Sequence, residues 1–294
     1  MPEGDTIHRL ADRLRPVLAD QALVRLELAR PSRTGIRPPP PATPIEAVEA
    51  QGKHLLIRFG NGVTLRTHLR MHGRWLVVPA GQPWPRPRHR MRAVVAVAGW
   101  EAVCFDAPVV ELERRPAVDH LGPDLTAPDP DLDTCRRRLA ELTEPTTPVA
   151  EALLDQRIAC GVGNVYKSEV CFACGIDPRT PVGGLDEATR AELWATAARL
   201  LRANLGPGPR TTVSGPLARP VGGRAGETSG GRGGALAVYG RAGRPCRRCG
   251  SRIAVARTGP HARSTYWCPT CQPSRPRRSE TSPEPAGGDS GARP

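Results

Sequence analysis

Apolar residues return every three to four positions at the start of the chain. Ile7, Leu10, Ala11, Leu14, Val17 and Leu18 fall on one face of a helix. Asp5 or Thr6 is placed to cap it, and Pro16 predicts fraying or an end near that point. The period then shortens. LVRLEL (23–28), HLLIRF (54–59), VTLRTHL (63–69), RWLVV (74–78), AVVAVA (93–98) and VCFDAPVVEL (103–112) read as short strands. Turn residues separate several of them: Gly60, Asn61 and Gly62, then Gly73, Gly81 and Gly99. Such a series predicts an antiparallel sandwich or barrel.

Near Gly122 and Pro123 the pattern becomes helical. LDTCRRRLAEL, PVAEALLDQRIAC, NVYKSEVCFACG and LDEATRAELWATAARLLRANL follow in turn. Residues 206–234 hold ten glycines and no long apolar run, which predicts a mobile loop. A cysteine-paired module occupies 238–272, and the polar, proline-rich remainder, 273–294, predicts a disordered tail. The chain therefore divides into 1–122, 123–237, 238–272 and 273–294.

Charge narrows the function. The formal net charge is +13, a field that attracts polyanions, nucleic acid first among them. Only Lys53 and Lys167 are lysines among 42 Lys+Arg. In such an arginine-rich chain, a lysine marks a position where the guanidinium shape is a poor substitute. The opening residues have no apolar core of a secretory signal, and no apolar run reaches the ~20 residues that span a bilayer. Nine cysteines without an export signal predict reduced thiols or metal ligands over a disulfide framework.

Four of those cysteines are Cys246, Cys249, Cys268 and Cys271, spaced C-x2-C-x18-C-x2-C. Each pair turns two thiolates onto one tetrahedral ion, and the spacing lets a hairpin bring the pairs together. The reading is one structural zinc, with no open position for chemistry. Cys171 and Cys174 form another C-x2-C but lie in a helical pattern without a partner pair, so they read as structural thiols. Cys104, Cys135 and Cys160 read as core.

LLDQRIACGVGNVYKSEV (153–170) predicts a helix, a glycine turn at Gly161 and Gly163, and a second helix capped by Asn164. The free N–H groups at that second helix's start suit a phosphate. An ordinary helical hairpin has the same spacing.

Three features occur together: MPEG at the start, the LLDQ…GVGN hairpin, and VYGRAGRPCRRCG leading into the four-cysteine module. This combination resembles the Fpg/Nei family of bifunctional DNA glycosylases, and MPEGDT is most similar to the endonuclease VIII-like (Nei-type) branch. The resemblance implies an α+β protein: an N-terminal antiparallel β-sandwich with flanking helices, a helix–two-turn–helix domain and a C-terminal zinc finger. It implies that Pro2, freed by removal of Met1, is the nucleophile and Glu3 the acid beside it. Lys53, Asn164 and Arg263 would contact DNA phosphates. Met71, in HLRMHG, would enter the gap left by a flipped nucleotide. The implied partner is damaged DNA, bound by a monomer that needs no small-molecule cofactor and no membrane. It would lie in the cytoplasm, nucleoid-associated when bound.

Two departures bear on specificity. Many family members carry glutamate at the sixth position, where this chain has Thr6 after Asp5. The Fpg branch carries an Arg-Arg-Phe-Gly segment where this chain reads CFDAPVVELE. The second departure favours oxidised pyrimidines, released with β,δ-elimination. The alternatives are an Fpg-type oxidised-purine glycosylase and a non-catalytic zinc-containing DNA-binding protein.

Overall fold

A computed structural model describes residues 2–213 and 235–274. Most of the glycine-rich segment and nearly all of the C-terminal tail lie outside the described residues, as does Met1.

Helix α1 (Gly4–Leu18) precedes eight strands: β1 (Arg25–Leu28), β2 (Ile45–Gln51), β3 (His54–Phe59), β4 (Thr64–His68), β5 (Arg74–Pro79), β6 (Met91–Val97), β7 (Trp100–Phe105) and β8 (Val109–Glu113). They form two four-stranded sheets, ordered β1-β6-β7-β5 and β2-β3-β4-β8, with antiparallel pairing throughout. Leu55, Ile57 and Leu65 of one sheet, Val95 and Cys104 of the other, and Ile7 and Leu14 of α1 share one buried core. Alternation along each strand puts these side chains between the layers. This is the expected sandwich with a flanking helix.

Four local expectations need correction. Helix α1 continues through Pro16 to Leu18. Proline removes only one N–H, and the apolar face bearing Leu14 and Leu18 is fully buried, which outweighs that loss. The cap is Glu3, with Asp5 and Thr6 already inside the first turn. VCFDAPVVEL is two strands, because Asp106 takes a left-handed conformation (φ 57°) and breaks the ladder. Strand β2, IEAVEAQ, was not anticipated. Its two glutamates and two alanines weaken the strand signal, yet Ile45 and Val48 anchor it in the core.

Helices α2 (Leu132–Leu142), α3 (Val149–Ala152), α4 (Asn164–Ala173) and α5 (Glu187–Arg202) form a second core around Tyr166, Val170, Trp194 and Leu201. Asp131 and Asp186 cap α2 and α5 by accepting the Thr134 and Thr189 N–H groups, at 2.8 and 2.7 Å. In PVAEALLDQRIAC only the four residues of α3 are helical; turns complete the segment. The hairpin of β9 (Ala254–Thr258) and β10 (Arg263–Trp267) packs on α4 through a third core that includes Phe172, Val238 and Ile253. Cys104, Cys135, Cys160 and Cys171 are buried, and Cys174 is half-buried.

Candidate active site and DNA-binding face

The two glycine-containing motifs, MPEG and GVGN, meet in space. Gly4 N–H donates to the Gly161 carbonyl at 2.9 Å. The Glu3 carboxylate, fully buried, accepts N–H groups of Gly163 (2.9 Å), Val165 (2.7 Å) and Tyr166 (3.2 Å). It thus fills the anion site that the start of α4 offers. A phosphate is therefore not the ligand of those N–H groups, contrary to the expectation from sequence. Gly163, not Asn164, is the N-cap. Its lack of a side chain is required: a Cβ there would stand 2.4 Å from Glu3 Cδ.

Pro2 is half-buried and lines a cleft of about 790 Å³ with Thr6, Arg9, Leu69, Trp75 and Gly208. Met71 sits on the turn between β4 and β5 and is 55% exposed, so it is not a core residue. Arg70 before it adopts φ 45°, and its N–H donates to His68 Nδ1 at 3.1 Å.

Lys53 follows Gly52 in the tight β2–β3 turn, where the Gly52 N–H donates to Asp124 Oδ2 at 2.7 Å. Burial lowers the Lys53 ammonium to about 8; Glu3 pulls it up and Arg263 pushes it down. Glu3 and Arg263 therefore each lie within electrostatic reach of Lys53. The neighbouring His54 and His68 rings meet edge-on at 4.9 Å. Burial and nearby cations hold them down to about 3 and about 4, so both are neutral near pH 7.

Arg263 opens β10 and is exposed. Asn164 is 5% exposed, and its Nδ2 donates to the Ser264 carbonyl at 2.9 Å. Asn164 and Arg263, 99 positions apart, are thus joined through the residue after Arg263.

Sequence reasoning also missed a cluster around Asp5. Arg210 donates through Nε (2.8 Å) and Nη2 (2.5 Å) to the buried Asp5 carboxylate, and through Nη2 to Thr6 Oγ1 (2.9 Å). Its guanidinium lies 4.9 Å from the centre of the Tyr166 ring. The unusual Asp5 and Thr6 are therefore tied to the segment that follows α5. Only the oddity of Asp-Thr after MPEG hinted at it; the partner, 205 positions away, had no signal.

The Sγ atoms of Cys246, Cys249, Cys268 and Cys271 all lie within 4.8 Å of one another. Two of the separations are 3.9 Å (Cys246–Cys271) and 3.5 Å (Cys249–Cys268). A tetrahedral zinc with bonds of about 2.3 Å needs edges of about 3.8 Å. Backbone N–H groups of Arg248 and Cys271 point at Cys246 and Cys268 sulfur, at 3.3 and 3.4 Å, as suits thiolates. The set fits one structural zinc.

Known proteins share this arrangement of domains. Family models described as the formamidopyrimidine-DNA glycosylase N-terminal domain, the formamidopyrimidine-DNA glycosylase H2TH domain and a zinc finger found in FPG and IleRS match residues 1–108, 121–214 and 243–273. A probable endonuclease 8 2 of Streptomyces coelicolor is 41% identical over all of this chain and 99% of its own. The DNA-(apurinic or apyrimidinic site) lyase Nei2 of Mycolicibacterium smegmatis is 39% identical over 92% of this chain and 99% of its own. The fold is shared with a structure of MutM in complex with carbocyclic 8-oxo-G containing DNA: TM-score 0.73, 23% identity, 93% of this chain and 100% of that one. Fold, zinc finger and relatives together define a DNA glycosylase with AP lyase activity, acting in base excision repair. The chain belongs to the Fpg/Nei family, among its endonuclease VIII-like members.

Proposed function

We propose that the protein excises oxidised bases, pyrimidines foremost, through a Schiff base on Pro2 and cuts the strand by β,δ-elimination. The observation that carries this reading is Pro2 lining an open cleft, with the next residue, Glu3, locked by its carboxylate to the start of α4. A base stacked in a duplex is out of reach, so the damaged nucleotide is extruded. Met71, apolar and exposed, holds the vacated space. Lys53, Asn164 and Arg263 grip the backbone around it.

The neutral Pro2 amine attacks C1′ as the base leaves with the bonding pair and takes up a proton from solvent. Glu3 takes the proton that the amine gives up and passes it to the ring oxygen, opening the sugar. The resulting iminium withdraws electrons, so C2′–H is lost and the 3′ phosphate departs. A second elimination then expels the 5′ phosphate.

The connection between β7 and β8 supports the pyrimidine preference. It spans only residues 106–108, and Asp106 is held by Arg90 at 2.8 Å and Arg86 at 3.3 Å. Such a turn has no arginine–phenylalanine wedge with which to read the base opposite the lesion. We further propose that the protein works on damaged DNA as a monomer, without a small-molecule cofactor, in the cytoplasm and on the nucleoid. No helix among the described residues is long and apolar enough to cross a membrane.

The test is a lesion panel with product-end analysis. Thymine glycol cleaved faster than 8-oxoguanine, leaving phosphate at both ends of the gap, is the expected result. Faster release of 8-oxoguanine, and only opposite cytosine, overturns the preference.

A further inference from the structure

Lys167 is one of two lysines among 42 Lys+Arg, and its side chain is 1% exposed. Its Nζ donates to Asn164 Oδ1 (2.7 Å), Thr265 Oγ1 (2.6 Å) and the Ser264 carbonyl (3.3 Å). All three acceptors are neutral, and no ion pair among the described residues includes it. A buried charge without an adjacent anion costs stability, and an apolar side chain would fill the same space without that cost. What the ammonium adds is three donors on one compact head. The planar, larger guanidinium does not match that arrangement, so lysine stands here in a chain that otherwise uses arginine.

Those donors settle the orientation of the Asn164 amide. An ammonium only donates, so Oδ1 must face Lys167. A carbonyl only accepts, so Nδ2 must face Ser264. With both partners present the amide has one orientation; without the lysine, Oδ1 loses its donor. The same ammonium holds Ser264 and Thr265, the two residues after Arg263. Thr265 Oγ1 reaches Thr258 Oγ1 at 2.5 Å, carrying the tie to the hairpin's other strand.

We propose that Lys167 is a positioning residue that holds Asn164 on α4 and Arg263 on β10 as one phosphate-gripping unit. It joins the helical domain to the zinc hairpin without itself touching DNA. The inference rests on the DNA-binding roles proposed for Asn164 and Arg263.

The test is a double-mutant cycle on affinity for a duplex carrying a tetrahydrofuran abasic analogue, using the zinc-loaded full chain. Lys167→Met and Lys167→Arg are each expected to weaken binding about tenfold, with Asn164→Ala similar. Lys167→Met combined with Asn164→Ala is expected to bind within about twofold of Asn164→Ala alone, because Asn164, Lys167 and the Ser264–Thr265 backbone grip as one unit that loss of the amide has already broken. Zinc content and thermal unfolding report the fold. If Lys167→Met fails to fold, Lys167→Gln enters the same cycle with the same expectation. Wild-type affinity in the Lys167 variants, full rescue by arginine, or losses that add independently overturns the proposal. So does a silent Asn164→Ala beside a weakened Lys167→Met. Failure of the glycosylase reading has a different signature: intact binding with no covalent adduct on lesion DNA.

Discussion

The Glu3 carboxylate accepts the Gly163 N–H at 2.9 Å, across 160 positions of chain. This contact docks the residue next to Pro2 onto the first turn of α4, and so fixes the N-terminus relative to the helical domain. Glu3→Gln keeps the shape but turns an N–H donor toward backbone N–H donors. A loss of about 1–3 kcal/mol in stability is expected, read by thermal unfolding, together with a loss of base excision. An unchanged melting temperature would show that the carboxylate does not anchor the domain contact.

Gly163→Ala probes the same contact from the other side. The added Cβ meets Glu3 Cδ at 2.4 Å, with Glu3 held by three N–H groups and unable to withdraw freely. Destabilisation of about 1–3 kcal/mol is expected, with slower strand cleavage as Pro2 shifts. Denaturant unfolding checks the first and single-turnover kinetics the second.

Met71→Ala should separate binding from folding. The side chain is 55% exposed, so its removal should change stability by no more than about 0.5 kcal/mol. Affinity for lesion-containing duplex should fall more than affinity for undamaged duplex, because only the former needs the gap filled. Equal losses on both would remove Met71 from the flipping step.

DNA affinity should weaken as pH rises through about 8. Burial lowers the Lys53 and Lys167 ammoniums to about 8 in the free protein, and a bound phosphate favours the protonated form of Lys53. Above about pH 8 binding must therefore recover a proton, which costs affinity; below it the ammonium is already charged. Lys53→Arg, charged throughout, should flatten part of that slope in anisotropy titrations between pH 7 and 9. An unchanged slope would detach Lys53 from the phosphate.

Zinc removal should release the hairpin before the sandwich. The core around Leu55 and Cys104 contains none of the four metal ligands, whereas Cys246 and Cys268 are part of the core under the hairpin. Chelation should lower DNA affinity while the tryptophan signal of the fully packed Trp75 persists. Unaltered affinity in zinc-free protein would refute a binding role for Arg263.

Much of this was legible along the chain. The short apolar run in HLLIRF gave β3 to the residue, and the cysteine spacing alone defined the metal site. What escaped shares one cause. Glu3 with Gly163, Asp5 with Arg210 and Lys167 with Thr265 pair residues from distant elements, and neither partner changes local periodicity. The Asn164 cap was misjudged for the same reason: local sequence favours a polar cap, but a carboxylate from 161 positions away had already taken the helix N-terminus. Lysine rarity in an arginine-rich chain did mark Lys167, though not what it holds.

Whether Pro2 is the nucleophile is decided by borohydride trapping on DNA containing thymine glycol. Wild-type protein freed of Met1 should form a covalent adduct, while Pro2→Gly and a form extended before Pro2 should form little or none and still bind DNA. An undiminished adduct from either altered form, or none from the wild type, would rule out Pro2 as the nucleophile.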